Sequence, residues 1–229
     1  MHPTPAPALV LFDIDGTLIR RAGRWHRDSL VEAVWRVTGI DTSTDHIPTQ
    51  GMLDGDILKR MLADAGASED LVLQSMGDIV LQAQHCYVRG CPDLRTKVCP
   101  GVRPLLSRLR RQRIPVALVT GNLTRIGWKK MEHAGLKHHF RFGAFAEMAA
   151  TRAELVAIAM ETAVRKRWIE RGSRVTLIGD HMNDIRAAQA NGVQVIAVAT
   201  GLASREDLAL CRPDFLVNDL RSVRLSMLL

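Results

Sequence analysis

The 229-residue chain is 47% hydrophobic and 24% charged, the balance of an ordinary globular protein, and no apolar run approaches the roughly 18 residues of a transmembrane helix. Its formal net charge of +7 is uneven: residues 22–95 carry 7 Lys+Arg against 11 Asp+Glu, and the remainder carries 24 against 13, a basic core with an acidic insertion that suits an anionic substrate. Aromatic residues are only 4% and do not interleave with the Arg108, Arg110, Arg111 and Arg113 cluster, so that cluster reads as a solvated helix face and nucleic acid is not an expected partner.

In chain order, Met1–Ala8 has no basic region leading into an apolar one, so it is not a signal peptide, and its three prolines predict a loose arm. Leu9–Phe12 then reads as a buried strand that ends in Asp13 and Asp15, with Gly16-Thr17 turning the chain. Alternation along a strand puts both carboxylates on one side. Buried carboxylates are costly without a partner, and a hard cation such as Mg²⁺ is the natural one, since it takes carboxylate and phosphate oxygens.

Residues 20–97 lack strand signals. Trp25–Val37 has helical apolar spacing, Ile57, Leu58, Met61 and Leu62 form a second apolar face, and Leu71–Val88 a third, with Ser68 as its N-cap. From residue 98 the pattern changes to alternation of strands and helices, which predicts parallel βαβ units. Helices are expected over 102–111, 123–134, 152–167, 182–190 and 205–210. Strands are expected over 115–119, 175–178, 194–198 and 215–217. Asn191-Gly192 should close the fourth of these helices with a left-handed cap. Two of the strands end in polar turns, Thr120-Gly121-Asn122 and Gly179-Asp180-His181-Met182-Asn183-Asp184. In open α/β sheets, ligands bind at the carboxyl ends of the strands.

Taken in order, Asp13-Ile14-Asp15-Gly16-Thr17, Val119-Thr120-Gly121-Asn122 and Gly179-Asp180-x-x-x-Asp184 resemble the motifs of the haloacid dehalogenase superfamily, and within it the phosphoglycolate-phosphatase-type enzymes. The resemblance implies a three-layer, Rossmann-like α/β core with a parallel sheet (residues 1–19 and 98–229) and an inserted helical cap (20–97). It implies Mg²⁺-dependent hydrolysis of a small phosphorylated metabolite. Asp13 would be the nucleophile that forms an aspartyl-phosphate. Asp15 would be the acid–base group, holding or sharing a proton. Asp180 and Asp184 would bind Mg²⁺ together with the Asp13 carboxylate and the Asp15 carbonyl. Thr120 would meet a phosphate oxygen, and the backbone N–H groups of Gly121 and Asn122 would form an anion site, with helix capping the alternative for Asn122.

The superfamily also places a Lys before the last motif. Here the expected stretch, Ala149–Leu155, contains none, and Arg152 holds the best-matching place; arginine grips phosphate bidentately and stays charged. Lys129, Lys130 and Lys137 precede this stretch and read as an exposed helix face. His181 is expected to shape its loop. In the insertion, Gly51 and Asp54 look like a loop facing the active site, Asp54 having helix capping as its alternative. Arg20 and Arg21 could meet an anionic group.

Related chemistries remain open. A sugar phosphomutase would use the same residues, and a non-catalytic binding module would retain the fold. A true dehalogenase needs no acid–base Asp at 15. A phosphonate-cleaving enzyme needs a Schiff-base lysine in the insertion, where Lys59 and Lys97 stand in no suggestive context. The four cysteines show no Cys-x-x-Cys spacing and predict free thiols in a cytoplasmic protein. The oligomeric state is open between monomer and homodimer.

Overall fold

The computed structural model describes residues 4–20 and 24–229. Six strands, β1 (Ala6–Phe12), β2 (Val116–Val119), β3 (Gly143–Ala144), β4 (Ile169–Gly179), β5 (Gln194–Val198) and β6 (Phe215–Val217), form one sheet in the order β3-β2-β1-β4-β5-β6. Every pairing is parallel, with Leu11 opposite Ala117 on one side and Leu177 on the other. Strand order reverses between β1 and β4, which makes the crevice at their carboxyl ends the natural ligand site of such a sheet.

β1 is buried on both faces, as the central strand of a parallel sheet must be. Leu9 and Leu11 face the apolar residues of α6 (Arg152–Arg165), α7 (Met182–Ala190) and α8 (Arg205–Leu210). Ala8, Val10 and Phe12 face those of α4 (Val102–Arg111) and Met131 of α5 (Thr124–His133). The result is the expected three-layer α/β architecture.

Between β1 and α4 lie three helices, α1 (Trp25–Thr38), α2 (Asp54–Asp64) and α3 (Glu69–Gly90). Ser68 caps α3 by accepting the Leu71 N–H at 3.3 Å. Leu30 and Val34 of α1, Leu58 and Met61 of α2, and Ile79 and Tyr87 of α3 share a core that is continuous with the Leu9 face of the sheet. The chain leaves and re-enters the sheet domain side by side, the Arg20 N–H donating to the Lys97 carbonyl at 2.7 Å.

The helix bounds agree with the sequence pattern to within one or two residues, and Gly192 takes the left-handed conformation (φ 61°) expected beyond α7. Three expectations need correction. The arm is shorter than residues 1–8, because Ala6–Ala8 already belong to β1. Pro7 is tolerated there because it sits at a register shift between Ala6 and Ala8, where no ladder bond is demanded of it. β4 begins at Ile169, six residues before the predicted strand, since a polar irregular stretch around Gly172 still follows the strand path. β3 is two residues long and carried no periodic signal.

Candidate active site

The polar turns after β1, β2, β4 and β5 meet at the carboxyl edge of the sheet and, with α1 and the loop before α2, enclose a cavity of about 310 Å³. It is lined by every one of Asp13, Asp15, Gly51, Asp54, Thr120, Gly121, Asn122, Arg152, Asp180 and Asp184. Arg20 does not line it, and Arg21 lies outside the described residues. Arg24 and Arg27, from the start of α1, line it instead.

Asp13, Asp180 and Asp184 are buried, with one carboxylate oxygen from each lying within 4.8 Å of the others. Thr17 donates its hydroxyl to Asp180 at 2.9 Å. Asp184 accepts the His181 N–H through Oδ2, closing a capping box at the start of α7, so it serves both the helix and the cluster. His181 accepts the Asn183 N–H at 3.2 Å and shapes this loop. A Cβ on Gly16 or Gly201 would collide with the Asp180 carboxylate, so two glycines make room for it.

Arg152, at the first position of α6, reaches the cluster with Nη1 at 3.0 Å from Asp13 and 2.6 Å from Asp184. Its buried Nε has no partner among the described residues and its Nη2 lies beside Gly121, so part of the fork remains for a ligand oxygen. One guanidinium does not offset three carboxylates. Burial pushes the Asp13 carboxyl up to about 7, reinforced by Asp184 and Asp15 and opposed by Arg152. Burial likewise raises Asp180, helped by Asp13 and Asp184, and raises Asp184 against the pull of Arg152. Burial lowers the Arg152 pKa, but Asp184 and Asp13 outweigh it and the net shift is upward. An all-oxygen, electron-rich cluster of this kind suits a hard divalent cation.

Asp15 is built differently. Its side chain is 38% exposed to the cavity, and Oδ2 accepts Lys130 Nζ at 2.6 Å and Asn122 Nδ2 at 2.8 Å. Burial alone would raise its pKa, but Lys130 and His26 overrule it and hold the carboxyl below the usual range. At rest the carboxyl is therefore held toward its ionised form, a charge state that the sequence left open.

Lys130 was expected on an exposed helix face, but it is 1% exposed and its ammonium also donates to Asn122 Oδ1 at 2.6 Å. The signal was present in the sequence, because Leu123, Ile126 and Lys130 recur at i, i+3 and i+7 on one stripe of α5. His26, which meets Lys130 at 3.1 Å and Asp54 at 3.0 Å, carried no signal at all.

At the end of β2, Thr120 is fully buried. Its oxygen accepts Asn122 Nδ2 at 2.7 Å and the Asn122 N–H at 3.3 Å, and among the described residues none accepts its own proton. The Asn122 N–H thus already has a long internal partner in the Thr120 oxygen. Asn122 does not cap α5. Asp54 from the insertion accepts the Leu123 N–H at 2.8 Å, and Glu147 accepts the Thr124 N–H at 2.9 Å. Asp54 caps this helix across the interface, and its own N–H donates to the Gly121 carbonyl at 2.8 Å. Gly51 has φ 64°, gives its carbonyl to Asn183, and leaves no space for a side chain against the His181 ring.

Residues 7–192 match the family described as haloacid dehalogenase-like hydrolase. The tyrosine-protein kinase PtkA of Mycobacterium tuberculosis is 25% identical over 204 residues; the match covers 87% of this chain, which spans 64% of that relative's length. The phosphoglycolate phosphatase of Pseudomonas fluorescens is 24% identical over 229 residues, covering 97% of this chain and 80% of that protein. Among solved structures, CbbY from Rhodobacter sphaeroides superposes with a TM-score of 0.72 at 20% identity, covering 96% of this chain and 98% of that one. The beta-phosphoglucomutase of Clostridium difficile gives 0.73 at 18%, covering 98% and 95%.

Proposed function

The chain belongs to the haloacid dehalogenase-like hydrolase family, and from that premise we propose that it is a Mg²⁺-dependent phosphatase of a small phosphate monoester, phosphoglycolate being the first candidate. The observation that carries this reading is the meeting of Asp13, Asp180, Asp184 and Arg152 beside the hydroxyl proton of Thr120 in one cavity. At about 310 Å³ the cavity is at the small end for ligand sites, which favours a metabolite over a macromolecule. Residues 20–97 act as a cap over a core of residues 1–19 and 98–229.

Asp13, Asp180 and Asp184 would hold the cation, which when bound neutralises phosphate charge and orients the group for in-line attack. Asp13 attacks phosphorus, the ester P–O bond breaks, and the leaving oxygen takes a proton from Asp15. Because Asp15 rests as a carboxylate, that proton arrives with the substrate: a phosphate monoester loses its second proton only near pH 6 and enters in part as the monoanion. Water then attacks the phosphorus of the aspartyl-phosphate and yields its proton to Asp15, and the bond to Asp13 breaks to release orthophosphate. Thr120 and the free edge of Arg152 hold the phosphoryl oxygens throughout. A phosphomutase would return the phosphoryl group to a sugar instead of to water. Release of orthophosphate from phosphoglycolate and from an aryl phosphate, present with Mg²⁺ and absent with chelator, tests the proposal; phosphoryl transfer to sugar without net release would overturn it.

Two predictions concern the cation. Asp13 is pushed up to about 7 in the folded chain, and Asp180 and Asp184 are also raised, so above about pH 4 that chain binds more protons than the unfolded one. The Asp13 contribution to stability is present at low pH and lost as pH rises toward about 7, and the other two act in the same direction. Mg²⁺ competes with those protons, so the thermal shift on adding it should be larger at pH 8 than at pH 5.5. At a hundredfold excess over Kd it contributes about 2.7 kcal/mol, roughly 5–10 °C for a chain of this size. An equal shift at both pH values would place the ion elsewhere. Second, Gly201→Ala displaces the Asp180 carboxylate and should weaken Mg²⁺ binding about 10–100-fold with the circular dichroism spectrum unchanged. Unaltered affinity in a calorimetric titration would show that Asp180 is not a ligand.

A further inference from the structure

Lys130 is a buried cation in the site that no step of the proposed reaction uses. Its three N–H bonds are all taken, by Asp15 Oδ2 at 2.6 Å, Asn122 Oδ1 at 2.6 Å and His26 Nδ1 at 3.1 Å. With none left over, the ammonium is not built to hold a substrate oxygen. A lysine ammonium only donates, so Nδ1 of His26 must accept, and the ring proton then sits on Nε2. From there it donates to Asp54 Oδ2 at 3.0 Å. Asp54 is held in turn by the Leu123 N–H. The chain Asp15–Lys130–His26–Asp54 therefore runs from the core, across the insertion, and back to the first turn of α5, with donors and acceptors matched at each link.

The consequence falls on Asp15. Lys130 and Asn122 both bind Oδ2, and no described residue donates to Oδ1, while the side chain remains open to the cavity. Two donors on one oxygen stop the carboxylate from rotating and present the other oxygen to the ligand.

We propose that Lys130 is a positioning residue that turns Oδ1 of Asp15 toward the leaving oxygen, braced by His26 and Asp54 of the insertion. This rests on the phosphatase reading of the site and adds to it a residue that acts through Asp15. It also assigns a role to the insertion in orienting the acid.

The test compares two substrates. Protonation of the leaving oxygen matters for an alkyl phosphate such as phosphoglycolate and little for p-nitrophenyl phosphate, whose phenolate departs unprotonated. General acid help is worth about 10²–10⁴ in rate. In single-turnover measurements of phosphoenzyme formation, Lys130→Met should slow the alkyl substrate about 10²-fold and the aryl substrate less than fivefold, with KM little changed. Lys130→Arg should recover part of the alkyl rate. His26→Ala leaves Lys130 in place and removes its brace; it should show the same selectivity at about 3–10-fold, which keeps the test decisive if Lys130→Met does not fold. Equal slowing of both substrates in either variant would make the role merely structural and overturn the inference. Absence of phosphoenzyme in the unmodified protein would overturn the phosphatase reading itself, and the inference with it, and is read separately from any variant.

Discussion

Asp13→Asn is expected to fold and to lose turnover of an aryl phosphate by roughly 10⁴-fold or more, as removal of a nucleophile commonly does. The amide has the volume of the carboxylate and cannot form the acyl phosphate. Folding should survive for a reason specific to this site. Asp13 is one of three crowded carboxylates, its pKa pushed up to about 7 mainly by burial, so near and above neutral pH the folded chain holds a charge it would be more stable without. The amide removes that charge, and Arg152 keeps its 2.6 Å bond to Asp184. The thermal midpoint without metal should therefore rise at both pH values, and less at pH 5.5 than at pH 8. Turnover within tenfold of the unmodified protein, after mass spectrometry excludes deamidation, would refute the covalent route.

Arg152→Ala should lower kcat by about 10²–10³, the usual loss when a fixed charge aimed at a developing anion is removed. It should also destabilise the metal-free protein. Removing one partner of a buried ion pair commonly costs about 3–5 kcal/mol, and here Asp13 and Asp184 both lose their cation. The sign with pH follows from Asp13. Arg152 opposes the upward shift of its pKa, so without Arg152 the carboxyl rises further and takes a proton over a wider range. Protonation relieves the repulsion at low pH, and the loss of stability should be larger at pH 8 than at pH 5.5. Arg152→Lys should recover part of kcat, since it restores the charge without the planar fork. A kcat near that of the unmodified protein in Arg152→Ala would show that another cation holds the phosphate. Lys130 would be a poor substitute, because its three donors are already committed.

By itself, the sequence determined the helices, the presence of every strand but β3, and the family resemblance. Apolar runs of four to five residues ending in Asp, Thr-Gly-Asn or Gly-Asp, alternating with helical stripes, specify parallel strands whose carboxyl ends carry the chemistry. Burial of such strands is a local consequence of side-chain type and period. That is why Asp13, Thr120, Asp180 and Asp184 could be named as one site before their distances were known. Arg152 was placed by the family pattern alone; its ion pairs with Asp13 and Asp184 depend on where α6 begins relative to β1 and α7.

The tertiary structure alone decided who partners whom. Lys130 sits on the same stripe as Leu123 and Ile126, but a lysine at such a position is ordinarily a solvated edge residue. Only the approach of Asp15 and Asn122, 115 and 8 residues away in sequence, makes its burial tolerable, because a buried charge must find its counter-charge and hydrogen bonds in space. The same holds for Asp54, which lies at the start of α2 and caps α5 instead, and for His26, which no periodicity marks. Local sequence specifies which groups a segment offers; their burial and partners are decided by the segments that the fold packs against them.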